Sequence, residues 1–145
     1  MALDRVRFCV RSSRGPEIMS SPSAEAKKHL ILCIDDAEVS LRIRKLLLSG
    51  AGYEVVTATS GEAGLEIFRH TSIDLVIADH FLTEKTGTEI AREMKALKPD
   101  IPILIVSAAA EKPEGVEFAD GFVSKGEDPN SLLHMIADLL RPIEK

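Results

Sequence analysis

The chain of 145 residues has only two cysteines, no long apolar run and no excess of positive charge. Cys9 and Cys33 are too few and too unpatterned for a disulfide framework or a zinc site. Cys33 lies inside an apolar run and reads as a small buried hydrophobe in a reducing compartment. No stretch approaches the ~18 apolar residues that a bilayer span requires, so no membrane partner is expected. Near the N-terminus the apolar stretch RFCV falls short of the ~7–15 residues at the heart of a signal peptide, and a cytoplasmic location is expected. A net charge of −5 argues against nucleic acid as a direct partner.

What is present is the composition of a folded domain, with 45% hydrophobic and 28% charged residues in a length suited to one core. The charge is unevenly placed. Residues 1–28 carry six basic side chains (Arg5, Arg7, Arg11, Arg14, Lys27, Lys28) and three acidic ones (Asp4, Glu17, Glu25), a net +3 that leaves −8 on the rest. The same segment holds Ser, Pro and Gly without periodicity. Residues 1–28 are therefore expected to form a disordered tail and residues 29–145 the domain. An Arg- and Ser-rich transit peptide is the lesser alternative, and Met19 offers a second start.

From His29 onward, short apolar runs alternate with helical patterns. Strands are expected at HLILCI (29–34), YEVVTA (53–58), IDLVIA (73–78), IPILIV (101–106) and GFVS (121–124). A first helix over residues 37–50 would pack Val39, Ile43, Leu46 and Leu47 and stop at Gly50. A second, capped by Ser60, would pack Leu65 and Phe68. A third opens with the capping box Thr86-x-x-Glu89 and would pack Ile90, Met94 and Leu97. A last helix starts at Asp128-Pro129, presents Leu132, Ile136 and Leu139, and ends at Pro142. Such alternation means a parallel sheet with helices on both faces. Runs one, three and four are almost wholly apolar, as for strands buried on both faces; runs two and five contain Glu54, Thr57 and Ser124 and suit the edges. The order 2-1-3-4-5 satisfies that division. It reverses direction between strands one and three, and ligands bind beyond the strands' carboxyl ends at such a switch point.

The stretch ILCIDDAE (31–38) ends the first strand on Asp35 and Asp36, and LVIADHF ends the third on Asp79. The strand order brings all three to one crevice. Two unit charges ~4 Å apart repel by about 4 kcal/mol at an effective dielectric of 20, so the cluster needs a counter-charge. Oxygen-only ligands suit a hard divalent ion, Mg²⁺ foremost. One such Asp would most simply cap the next helix or turn; three at one switch point point to a site. Ser107 ends the fourth strand in ILIVSAAA, and Lys125 ends the fifth in GFVSKG. Alone, they would read as a turn residue and a solvated charge. A cation, a hydroxyl, a metal and a carboxylate nucleophile together make a phosphoryl-transfer site, because the charge on a transferring phosphoryl must be neutralised. His29, His70, His80 and His134 lack metal-ligand spacing and read as surface or capping residues.

On these residues, the region from about His29 to Leu140 resembles the receiver domain of two-component response regulators, a flavodoxin-like fold shared with chemotaxis regulators. The match rests on Asp-Asp, Asp, Ser and Lys in order, each at a strand end, and on Gly87, eight residues after Asp79. The resemblance implies that Asp79 accepts a phosphoryl group from a phosphohistidine on a sensor histidine kinase or phosphotransfer protein. It implies Mg²⁺ bound by Asp36, Asp79 and the backbone carbonyl of Phe81, with Asp35 helping through water. Ser107 and Lys125 would each meet a phosphoryl oxygen, Ala108 would leave room for the group, and Phe122 would be a switching aromatic. Added phosphoryl charge then shifts a population: Ser107 and Lys125 move inward only if the inward state binds the group better, and Phe122 follows. No enzymatic activity beyond the domain's own phosphorylation and dephosphorylation is expected.

Departures from the family pattern carry expectations of their own. Gly126 replaces a proline that usually fixes a cis bond after the lysine, which leaves Lys125 less firmly held, since a non-proline cis bond costs ~2.5–4 kcal/mol. Leu82-Thr83 replaces the frequent Met-Pro. The resemblance places apolar Phe81 and Ala109 at positions that govern water access in the family, where they are expected to slow acyl phosphate hydrolysis. Pro113 and Gly115 interrupt the segment between Ser107 and Lys125, so the fourth helix there should be short or irregular, with weak hydrogen-exchange protection across residues 109–118. The chain stops at Lys145 after the last helix, which suggests a stand-alone receiver or phosphate relay acting on a downstream protein of unknown identity. Two rival functions are compatible with parts of this pattern. A haloacid-dehalogenase-type phosphatase would need an acid two residues after Asp79, where Phe81 stands. A receiver-fold binding module that signals without phosphorylation is the remaining alternative.

Overall fold

The computed structural model describes residues 28–108, 115–125 and 128–140. Expectations about residues 1–27, Ala109, Gly126 and Pro142 fall outside them. Within the described residues the order is β1 (Leu30–Ile34), α1 (Glu38–Gly50), β2 (Glu54–Ala58), α2 (Gly61–His70), β3 (Leu75–Asp79), α3 (Gly87–Leu97), β4 (Ile103–Ser107), a 3₁₀ turn (Val116–Phe118), β5 (Gly121–Ser124) and α4 (Pro129–Leu140). The strands form one parallel sheet in the order β2-β1-β3-β4-β5. The three apolar strands are central, and the two strands with polar residues are the edges.

The pleat sends successive side chains to opposite faces and so divides the core in two. Leu32, Ile34, Val76, Ala78, Ile103 and Ile105 meet α2 and α3 through Leu65, Phe68, Ile90 and Met94. Ile31, Cys33, Leu75, Ile77, Leu104 and Val106 meet α1 and α4 through Leu41, Leu48, Leu132 and Ile136. The sheet's N-terminal edge is tied by two aspartates: Leu30 N–H donates to Asp74 Oδ2 and Ile103 N–H to Asp120 Oδ2, each at 2.8 Å.

Local chemistry accounts for the helix ends. Ser60 Oγ accepts the Ala63 N–H at the start of α2. Thr86 and Glu89 form the reciprocal capping box of α3. Asp128 Oδ1 accepts the Asn130 N–H as α4 begins. Lys98 Nζ donates to the carbonyls of Phe68 and Thr71 at the end of α2, at 2.7 and 3.3 Å. The chain reverses after α1 at Gly52, whose φ is +99°, rather than at Gly50, which is still helical.

Three expectations are corrected. The face of α1 that packs is Leu41 and Leu48; Val39, Ile43 and Leu46 are 62%, 62% and 71% exposed on the opposite side. Leu97, at the end of α3, is also exposed. His80 is buried rather than superficial, because it follows Asp79 directly under the loop that closes onto α3. Between β4 and β5 the described residues hold the 3₁₀ turn after Gly115, and the rest of the segment expected to be short or irregular, Pro113 included, lies outside them.

Candidate functional site

β1 and β3 are neighbours, so their C-terminal ends lie side by side. β1 delivers Asp35, fully buried, and the exposed Asp36; β3 delivers Asp79, only 4% exposed. One carboxylate oxygen from each lies within 4.8 Å of the other two. Asp35 is fixed by its Oδ1, which accepts the Ala37 N–H at 2.9 Å as the chain turns into α1. Asp36 Oδ2 accepts from Thr83 Oγ1 at 3.1 Å, which ties the loop after β3 to the cluster. Asp79 Oδ1 is buried without a hydrogen-bond partner among the described residues.

Lys125 reaches this cluster from the end of β5. Its main-chain N–H donates to the Ser107 carbonyl at 2.8 Å, which locks it to the end of β4. Its Nζ stands 3.3 Å from Asp79 Oδ1 and 3.4 Å from Asp35 Oδ2. Ser107 is fully buried at the end of β4, beside β3. Phe122 is half-buried and packs against the α2–α3 layer, on the other side of the sheet from that packed by Val123. Phe81 is 58% exposed, pairs with Thr86 across an isolated bridge, and meets the His80 ring edge-on at 4.9 Å.

The electrostatics are those of an acid pocket short of positive charge. Burial, and then the neighbouring Asp35, push the Asp79 carboxyl above its ordinary range, while Lys125 and Arg44 pull it back. An oxygen-only donor set of three converging carboxylates, with one lysine set between two of them, fits a small hard cation. Arg44 was not singled out in the sequence. Its Nη1 lies 3.7 Å from Asp35 Oδ2, and the side chain is 10% exposed. The signal for it was its place between Leu41 and Leu48 on the second, buried face of α1.

Residues 31–137 match the family described as the response regulator receiver domain. The chain is 34% identical over 116 residues to the transcriptional regulatory protein GlrR of Escherichia coli, a match covering 77% of this chain and 26% of that protein. It is 38% identical over 125 residues to the probable transcriptional regulator ycf27 of Cyanophora paradoxa, covering 83% of this chain and 52% of that one. It thus spans between about a quarter and a half of these relatives' length. Among solved structures, the response regulator TrrA of Thermotoga maritima, in complex with Mg²⁺ and BeF, is 31% identical with a TM-score of 0.74, over 77% of this chain and 99% of that one. A CheY-like receiver domain from Methanospirillum hungatei is 28% identical, also at 0.74, over 79% and 94%. No helix among the described residues is long and apolar enough to cross a membrane. With the sheet order, the acid pocket and the family match in agreement, this chain belongs to the response regulator receiver domain family of two-component signalling.

Proposed function

We propose that the domain is a phosphoacceptor: Asp79 takes a phosphoryl group from a phosphohistidine and the domain then signals through protein contact. The observation that carries this reading is the meeting of Asp35, Asp36 and Asp79 within 4.8 Å, with Lys125 Nζ bridging Asp35 and Asp79. In the transfer, an Asp79 oxygen bonds to phosphorus as the P–N bond breaks and the imidazole leaves. Asp36, Asp79 and the Phe81 carbonyl would hold Mg²⁺ directly, with Asp35 acting through water. The ion supplies Lewis-acid neutralisation of the phosphoryl oxygens when bound. Lys125 already stands beside Asp79 and pairs with a phosphoryl oxygen by a short swing. Ser107, one strand away, offers its hydroxyl to another, and Phe122 reports the change by turning from its half-buried place. The domain acts on no other substrate.

The donor is a protein, a sensor histidine kinase or a phosphotransfer protein. Val39, Ile43 and Leu46 form an exposed apolar stripe on α1, the helix that leaves the acid pocket directly. An apolar stripe beside a reacting carboxylate suits the face of a docking helix. A cytoplasmic location follows from such a donor. Beryllofluoride with Mg²⁺ tests the proposal. Amide chemical shifts should change around Asp79, Ser107 and Lys125 in the wild-type protein and not in Asp79→Asn. No change in the wild type would favour a module that binds partners without phosphorylation.

A further inference from the structure

Arg44 is a basic residue of α1 that turns inward, whereas Arg42 and Lys45 are exposed. It shares a helical face with Leu41 and Leu48, three and four residues away, both in the core. Its side chain is 10% exposed, and Nη1 is buried without a hydrogen-bond partner among the described residues. A guanidinium cannot shed its charge, and burying it is costly unless negative charge faces it. That charge is Asp35, whose Oδ2 lies 3.7 Å from Nη1. The same oxygen lies 3.4 Å from Lys125 Nζ, so Asp35 is flanked by two cations. The two differ in kind. Lys125 is 31% exposed and also reaches Asp79, whereas Arg44 is held within the packing of α1 on the sheet.

We propose that Arg44 is a positioning residue of the acid pocket, a permanent second cation that holds Asp35 in place and lowers the pocket's affinity for Mg²⁺. The inference rests on the reading of that pocket as a Mg²⁺ site for phosphoryl transfer. When Lys125 turns to a phosphoryl oxygen, Arg44 keeps Asp35 paired, so the movement of Lys125 does not strand a buried carboxylate. Arg44 also competes with the divalent ion for the same negative charge. Even with water's dielectric constant of about 80, a unit charge a few ångströms outside such a pocket would disfavour a divalent ion there about tenfold. Removing the Arg44 charge therefore tightens Mg²⁺ binding, the opposite of what loss of a purely structural residue would do.

Mg²⁺ titration calorimetry at fixed ionic strength on the full chain decides this, with wild type, Arg44→Leu, Arg44→Gln and Arg44→Lys, each checked for its fold by circular dichroism. The Leu and Gln variants should bind Mg²⁺ about tenfold more tightly than wild type. The Lys variant, which keeps the charge, should return close to the wild-type constant. If the Leu variant does not fold, the Gln variant carries the comparison. Unchanged or weaker binding in the neutral variants, or equal tightening in Arg44→Lys, would overturn the role given to Arg44 while leaving the metal site standing. Absence of Mg²⁺ binding in wild type and variants alike would overturn the metal site, and this inference with it.

Discussion

Gly87 opens α3 directly over the main chain of Asp79. A Cβ at this position would lie 2.5 Å from the Asp79 carbonyl oxygen and 2.9 Å from His80 Cα. Main chain cannot yield as the tip of a flexible side chain would. Gly87→Ala is therefore expected to destabilise the domain by about 1–3 kcal/mol, read from its urea midpoint, and to slow phosphoryl uptake by displacing Asp79. The Asp79 carboxyl itself is held above its ordinary range, chiefly by burial. An acid whose folded pKa is raised binds more protons when folded, so its contribution to stability falls as pH rises from the ordinary value through the folded one. The penalty is absent below that window and complete above it. In the absence of metal, Asp79→Asn should melt higher than wild type near neutral pH and lose the advantage on acidification to about pH 4. Equal melting temperatures at neutral pH would mean that the pocket is not strained. The strand-end places of Asp35, Asp36, Asp79, Ser107 and Lys125 were legible in the sequence because each stands at the end of an apolar run. Arg44 and the buried His80 were not: no local pattern distinguishes an inward-facing Arg or His from an outward-facing one.

At the level of elements, α1 shows what periodicity can and cannot decide. The helix carries two apolar stripes on opposite sides, Val39-Ile43-Leu46 and Leu41-Leu48. The first has more apolar residues, so counting favours it. The second is the one that packs: Leu41 and Leu48 are buried, and Arg44 between them lies 3.7 Å from Asp35. Leu41→Ala should cost about 2–5 kcal/mol, whereas Leu46→Ser, on the open stripe, should stay within about 0.5 kcal/mol. Chemical denaturation of the two variants checks this, and a large loss in Leu46→Ser would mean that the stripe is covered within the domain. Where sequence carried specific end chemistry, as in the Thr86–Glu89 box and the Ser60 cap, the element starts were readable. The reversal after α1 depends on a left-handed residue two positions beyond the expected one. Gly50 and Gly52 look alike until the preceding carbonyls choose their partners: the Ala51 N–H and Tyr53 N–H both donate to the Leu48 carbonyl.

The whole molecule is organised by where the strands end. Three buried strands form a rigid centre, and their order places the ends of β1 and β3 together with Lys125 of the edge strand. That order was readable because polar residues in β2 and β5 marked them as edges, as were the packed faces of α2, α3 and α4, although the face α1 offers was not. The acid pocket concentrates negative charge that the fold does not need for its own stability, and two cations only partly offset three carboxylates. On the proposed reading a divalent ion would offset that excess and then face the incoming phosphoryl group. The most direct test is to incubate the protein with acetyl phosphate and Mg²⁺, trap acyl phosphate by borohydride reduction and map the modified residue by peptide mass. Modification at Asp79 alone, abolished by EDTA and by Asp79→Asn, is the predicted result. An unmodified Asp79, or modification that persists when divalent ions are removed, would contradict it.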